Sequence, residues 1–239
     1  MVRWYDRTAI LLGEESYQAL RHKSVLIVGV GGVGGMAAEF ICRAGIGTIT
    51  IVDSDVVSID NRNRQIIALE STTGEAKVEV LAKRLKDINP ELDIMAKKIY
   101  LLDEEVDKLL DERHYDYVVD AIDTLTPKVQ LITGCLKRGI KLISSMGAGG
   151  KFDPSKIEVV DISKTYRCPL AQKVRKMLRQ QKIDSGVLTI FSAEEVDKSK
   201  FIKTEGLSNK KTTVGTISYM PPMFGAFAAS VVIRELSGV

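Results

Sequence analysis

Ser24-Val25-Leu26-Ile27-Val28-Gly29-Val30-Gly31-Gly32-Val33-Gly34 joins a short apolar run to a glycine-rich turn, and the residues that follow have helical periodicity. A strand, a tight turn and a helix in that order leave free backbone N–H groups at the helix start, which attract phosphate. The next apolar run, Thr48-Ile49-Thr50-Ile51-Val52, ends at Asp53, 19 residues after Gly34. An acid at the tip of a second parallel strand is placed to accept ribose hydroxyls. The pattern reads as a nucleotide site but does not say which nucleotide, so dinucleotide binding and simple close packing of the glycines stand as the readings to exclude.

Outward from this unit, apolar runs and amphipathic segments keep alternating. Helices are expected over 33–44, 75–88, 103–113 and 127–138, and strands over 24–30, 48–53, 92–98, 116–122 and 141–145. Such a βαβ series predicts an α/β fold with a mostly parallel central sheet and helices on both faces. After Gly147 the pattern loosens into a strand at 157–163, a helix at 170–182, a strand at 188–192, a polar stretch at 194–211 and an uncharged C-terminal extension. The polar stretch is expected to be a mobile loop. The 239 residues read as a single domain, with a nucleotide-binding part at 1–150 and a substrate-facing part at 151–239.

Composition excludes several classes. Hydrophobic residues at 45% and charged residues at 27% are those of an ordinary globular chain. Cys42, Cys135 and Cys168 are scattered without a CxxC pair, and the two histidines, His22 and His114, lie far apart. This argues against structural zinc and a disulfide framework and fits a reducing cytoplasm. Cys42 and Cys135 sit at core positions of helices, whereas Cys168, between Arg167 and Pro169, is expected to be exposed. No apolar signal core opens the chain. Residues 212–233 are uncharged and long enough to span a bilayer, but Pro221-Pro222 and several hydroxyl residues favour a core strand followed by a docked helix.

The net charge is only +3, yet residues 164–182 hold seven basic side chains and no acidic one, leaving the remainder of the chain at about −4. On a helical projection Leu170, Val174, Met177 and Leu178 fall on one face, while Lys173, Arg175, Lys176, Arg179 and Lys182 occupy the other. One face packs and the other is cationic, either simply solvated or set against a phosphate backbone. Tyr166 and Phe201 are the nearest aromatic candidates for contact with splayed bases.

Beside the second strand lies Asp53-Ser54-Asp55-Val56-Val57-Ser58-Ile59-Asp60-Asn61-Arg62-Asn63-Arg64-Gln65, and Lys77 follows 13 residues after Arg64. A dehydrogenase does not need this set. Arginines, an asparagine and a lysine next to a phosphate-binding turn suit a triphosphate whose charge is neutralised while its α-phosphorus is attacked. Asp120 and Asp123 end the fourth strand, where a carboxylate can hold Mg²⁺ or act structurally.

The glycine turn, Asp53, the Asn-x-x-Arg-Gln of 61–65, Lys77 and the Asp-Ala-Ile-Asp of 120–123 together resemble the adenylating domain of the E1-like ThiF/MoeB superfamily. The resemblance implies a Rossmann-like adenylation fold that binds ATP and adenylates a carboxylate. It puts Gly29, Gly31, Gly32 and Gly34 under the phosphates, Asp53 on the ribose, and Asn61, Arg64 and Lys77 on the phosphates. Asp123 becomes the Mg²⁺ and catalytic carboxylate, with Arg64 and Lys77 as catalytic partners, in a homodimer whose Arg7 reaches the partner's nucleotide. Gly147-Ala148-Gly149-Gly150-Lys151-Phe152-Asp153-Pro154, Asp161-Ile162-Ser163-Lys164-Thr165, Pro169-Leu170-Ala171 and Phe191-Ser192-Ala193-Glu194 narrow this to a resemblance to the tRNA threonylcarbamoyladenosine dehydratase family. Its members use ATP to cyclise the threonylcarbamoyl group on a tRNA adenosine, which makes tRNA the partner and Lys173, Lys176 and Arg179 its expected contacts.

Some members carry a C-terminal cysteine proposed to accept sulfur. This chain has none after Cys168. A sulfur-transfer partner therefore stays open, while dehydration needs only carboxylate activation followed by intramolecular capture. Two other readings share parts of the pattern. An activator of a ubiquitin-like sulfur carrier would use the same adenylation site but commonly carries paired CxxC motifs, and a nucleotide-sensing module would not need Arg64, Lys77 and Asp123.

Overall fold

The structure, a computed structural model, describes residues 2–197, 199, 201–203 and 212–238. β1 (Ser24–Val28) is flanked by β2 (Thr48–Val52) on one side and β4 (Tyr117–Asp120) on the other, and the sheet extends through β3 (Asp93–Lys97), β5 (Leu142–Ser145), β7 (Leu188–Ser192) and β6 (Ile157–Asp161). The order is β3-β2-β1-β4-β5-β7-β6. All neighbours are parallel except β6 and β7, so the 157–192 region completes the same sheet with one antiparallel edge strand.

Successive residues of β1 feed opposite faces. Val25 and Ile27 enter the apolar cluster under α3 (Gly34–Ala44), α4 (Lys77–Ile88) and α8 (Met220–Ser237), whereas Leu26 and Val28 enter the cluster under α5 (Glu104–Asp111), α6 (Leu125–Arg138) and α7 (Pro169–Gln180). A strand covered on both sides has no charged face to show, which is why Val25–Val28 of β1 read as an unbroken apolar run and β2 carries only threonines among its apolar residues. The uncharged C-terminal stretch is explained in the same way. α8 is apolar nearly all round because it packs against α3, α2 and the sheet. Among the described residues no helix is long and apolar enough to cross a membrane.

Four features depart from the sequence reading. Two short helices, α1 (Asp6–Leu12) and α2 (Glu14–Arg21), precede the sheet. α4 begins at Lys77 rather than at 75, and α7 ends at Gln180 rather than at 182. Cys168 is not exposed: it is buried at 4% with Ile162 and Ala171, under Gly147. Arg167 and Pro169 on either side are exposed, and Arg167 has a left-handed backbone (φ 50°). Within the polar stretch, β8 (Phe201–Lys203) pairs antiparallel with β9 (Thr212–Val214). Residues 198, 200 and 204–211 of the expected mobile loop lie outside the described residues, as does the side chain of Phe201.

Candidate active site

β1 and β4 are neighbours whose helical connections run to opposite sides, so a crevice opens between their carboxyl ends. The register makes those ends level: Val28 lies opposite both Val52 and Asp120. The glycine turn, Asp53 and the 121–123 loop therefore leave the sheet at one edge.

The glycine turn is shaped by close backbone contacts. Gly29 has φ 86°, and a Cβ there would stand 2.7 Å from the Ala121 carbonyl oxygen. At Gly34 a Cβ would fall 1.8 Å from the Gly29 oxygen, so the helix is able to start only without a side chain. Gly31 differs, since its nearest neighbour would be Gln65 Nε2 at 3.7 Å. That spot is open to a ligand. Gly32 carries Pro221 of α8 on one side and the Arg64 carbonyl on the other.

Asp53 leaves β2 with one carboxylate oxygen accepting from Val30 N at 2.8 Å and the other from Asp55 N at 2.9 Å. Burial pushes its carboxyl pKa up, opposed by the nearby Lys77 ammonium and these two N–H donors. Lys77 opens α4 with a buried side chain whose Nζ donates to Asp55 Oδ2 at 2.8 Å. Asn61, also buried, closes a capping box with Ser58 at a short 3-10 turn. Arg64 is half-buried, and its Nη1 donates to the Asp60 carbonyl and to Asn63 Oδ1, each at 2.7 Å. Gln65 is buried beside Gly31, and its Oε1 has no partner among the described residues. An acceptor in that position suits a ligand hydroxyl or N–H.

Asp123 is exposed on the loop between β4 and α6, two residues after Ala121, whose carbonyl faces Gly29. Asp120 has a different place. It is completely buried, with Oδ2 accepting from Lys128 Nζ at 2.7 Å and from Ser144 Oγ at 2.6 Å, and Oδ1 accepting from Ile122 N at 3.0 Å. Lys128, equally buried, also donates to the Ser145 carbonyl at 2.9 Å. The pair ties the ends of β4 and β5 and fixes the loop that carries Asp123. Asp120 is thus structural, and Lys128 is a residue the sequence reading missed.

Arg7 lies elsewhere. The preceding Tyr5 stacks on Tyr17 at 4.4 Å, and Tyr17 covers Gly45 at the end of α3, on the amino side of the sheet. Arg7 is exposed there, opposite its own chain's glycine turn. α7 presents Lys173, Lys176 and Arg179 to solvent, and Arg179 Nε lies 3.4 Å from Asp184. Arg175 instead turns inward to hydrogen-bond Thr165.

Residues 5–239 match the ThiF family. The chain belongs to the ThiF family. Among its relatives, the tRNA threonylcarbamoyladenosine dehydratase of Bacillus subtilis is 41% identical over 97% of this chain and 90% of its own length. The Escherichia coli protein of the same name is 41% identical over 80% of this chain and 75% of its own. A crystal structure of Escherichia coli tRNA N6-threonylcarbamoyladenosine dehydratase, TcdA, in complex with ATP superposes with a TM-score of 0.88 at 36% identity, covering 98% of this chain and 93% of that one. The doubly wound sheet with its switch-point crevice is thus the ThiF-family fold.

Proposed function

We propose that this ThiF-family chain is an ATP-dependent tRNA threonylcarbamoyladenosine dehydratase. One observation carries the reading: the glycine turn, Asp53, the buried Lys77 and the Asp123 loop meet at one sheet edge in a chain that matches a dehydratase of that name almost end to end. That match also favours dehydration over activation of a sulfur-carrier protein. In this reading residues 1–150 supply the nucleotide site and 151–239 the side facing the tRNA, in the cytoplasm.

The open backbone at Gly31 receives the phosphates, with Gly29, Gly32 and Gly34 shaping the turn, and Asp53 receives the ribose hydroxyls. Asn61, Arg64 and Lys77 neutralise the triphosphate, Lys77 by sharing its ammonium between Asp55 and phosphate oxygens. Among the described residues no three acidic, cysteine or histidine side chains gather into a metal cage. Mg²⁺ takes one or two protein carboxylates together with substrate phosphates, and Asp123 is the residue that would hold it. When bound, the ion draws charge from the α-phosphate and the departing pyrophosphate. The threonyl carboxylate attacks the α-phosphorus and pyrophosphate leaves. The tethered carbamoyl group then attacks the acyl adenylate, AMP leaves, and the substrate has lost one water. Ring closure is intramolecular, so proximity does what a protein nucleophile would otherwise do. Because Arg7 lies at the far side of its own sheet, it serves a nucleotide only across a homodimer.

No cysteine is placed for covalent catalysis. Burial pushes the Cys42 and Cys135 thiols up to about 12, and Cys168 is covered by Gly147. A protein with all three replaced by serine or alanine, shown by circular dichroism to be folded, is expected to dehydrate its tRNA with ATP and Mg²⁺ at near wild-type rate. Loss of turnover from Cys168→Ser alone in a folded protein would restore a thiol intermediate and overturn this mechanism.

The cationic face of α7 is the proposed tRNA-binding surface. Reversing charge at Lys173, Lys176 and Arg179 should weaken tRNA binding while leaving ATP affinity unchanged. Each backbone phosphate that is no longer neutralised should reduce the slope of log K against log salt by about 0.7 to 0.9. Filter binding across a salt series measures this, and equal affinity of mutant and wild type at ~0.1 M salt would remove α7 from the interface.

A further inference from the structure

Phe152 is 66% exposed, and its backbone is held on both sides by side chains. Its N–H donates to Glu194 Oε2 at 2.8 Å, and its carbonyl accepts from the Tyr219 hydroxyl at 2.9 Å. The neighbours are pinned as well. Asp153 N donates to the same Glu194 oxygen at 2.8 Å, and the buried Lys151 ammonium donates to the carbonyls of Ser192 and Glu194. Tyr219, 38% exposed, stands edge-on to Phe152 with ring centroids 6.0 Å apart. An exposed apolar ring whose backbone is already held loses less freedom when something settles on it than one on a loose loop.

Its location points to the occupant. Tyr219 opens α8 two residues before Pro221, which lies against Gly32 of the phosphate turn. Nearby, the Asn63 amide donates to the Thr216 carbonyl at 2.9 Å, tying the segment before α8 to the arginine-bearing loop. Phe152 follows the glycine segment that leaves β5, beside β4 and the Asp123 loop. The two rings therefore join both sides of the crevice at its rim. Gly147 packs against Leu170 and Cys168, which brings the amino end of α7 and the exposed Lys164 and Arg167 to the same edge.

An exposed apolar ring at the rim of a site for a triphosphate, with Lys164 and Arg167 at the same sheet edge, matches a single-stranded RNA segment, whose phosphates take the charges while an unpaired base takes the ring. We propose that Phe152, braced by Tyr219 and Glu194, is the stacking platform for an unpaired nucleobase of the tRNA substrate at or beside the modified adenosine. The proposal rests on the dehydratase reading and adds a base-binding subsite to it. A Gly-Gly protein tail, with no side chain at its end, has nothing to place on such a ring.

The test compares wild type, Phe152→Ala and Phe152→Trp in steady-state turnover of tRNA carrying threonylcarbamoyladenosine, with KM for tRNA and for ATP determined separately. Phe152→Ala is expected to raise KM for tRNA about 5- to 150-fold, the range that loss of one base–aromatic stack produces. KM for ATP and kcat are expected to stay within about twofold, and Phe152→Trp should restore KM for tRNA because stacking accepts any large ring. Unchanged KM for tRNA in Phe152→Ala would overturn the proposal, as would Phe152→Trp behaving like Phe152→Ala. Wild type that leaves this tRNA unchanged would instead overturn the dehydratase reading beneath it, which keeps the two failures apart.

Discussion

Replacing Asp123 with alanine is expected to reduce ATP-dependent turnover by a factor of ~10² or more while leaving the unfolding curve unchanged, because the carboxylate proposed to hold Mg²⁺ on the triphosphate is removed without touching the core. The side chain is exposed and its loop is held from below, by Asp120 Oδ1 on the N–H of Ile122. Its backbone should therefore keep its place when the carboxylate is gone. Arg64→Ala belongs to the same class, though its guanidinium also braces the Asp60 carbonyl and Asn63, so part of its effect will be loop order. Steady-state kinetics on the folded Asp123→Ala protein settle the matter: activity within a few-fold of wild type would remove Asp123 from the catalytic group.

The second large effect is on stability. Lys128→Met keeps the volume of a fully buried side chain but strands the Asp120 carboxylate, which keeps only Ser144 and the Ile122 N–H as partners. Breaking one side of a buried ion pair costs about 3–5 kcal/mol, because the remaining charge is left uncompensated in a poor solvent. Adding Asp120→Asn removes that charge and keeps an acceptor for Ile122 N, so the double variant should recover most of the loss. Urea unfolding of the two proteins decides between them. A single variant as stable as wild type would show that the pair is not the strut holding the ends of β4 and β5.

Much of the fold was legible because it rests on local patterns. The β1–turn–α3–β2 unit is written in an unbroken apolar run, a set of glycines and an acid at a strand tip, and each constrains only its own neighbourhood. α1 and α2 were missed for the opposite reason. They are short, and Ile10 and Leu11 are exposed, so α1 shows no clear apolar stripe. Cys168 was misplaced because its exposure was read from Arg167 and Pro169, whereas the folded chain buries it between these two exposed neighbours.

The candidate site divides in the same way. Asp53, Lys77 and the glycine turn belong to recognisable spacings, and the fold brings them to one sheet edge. Lys128 carried only a faint signal, a lysine in the apolar register of α6 among Pro127, Val129 and Leu131. Its partner lies on a different element, so nothing local announced the pair. The Phe152–Tyr219 contact joins residues 67 positions apart, and only the folded chain brings those rings together.

The central claim is that this chain removes water from threonylcarbamoyladenosine in tRNA by adenylating its threonyl carboxylate. The most direct measurement incubates the purified protein with such a tRNA, ATP and Mg²⁺, then follows the nucleosides by mass spectrometry and the nucleotides by chromatography. The expected product is a nucleoside lighter by one water, with one AMP and one pyrophosphate released per ring closed. An unchanged nucleoside in the presence of folded, ATP-binding protein, or ATP cleaved to ADP and phosphate, would contradict it.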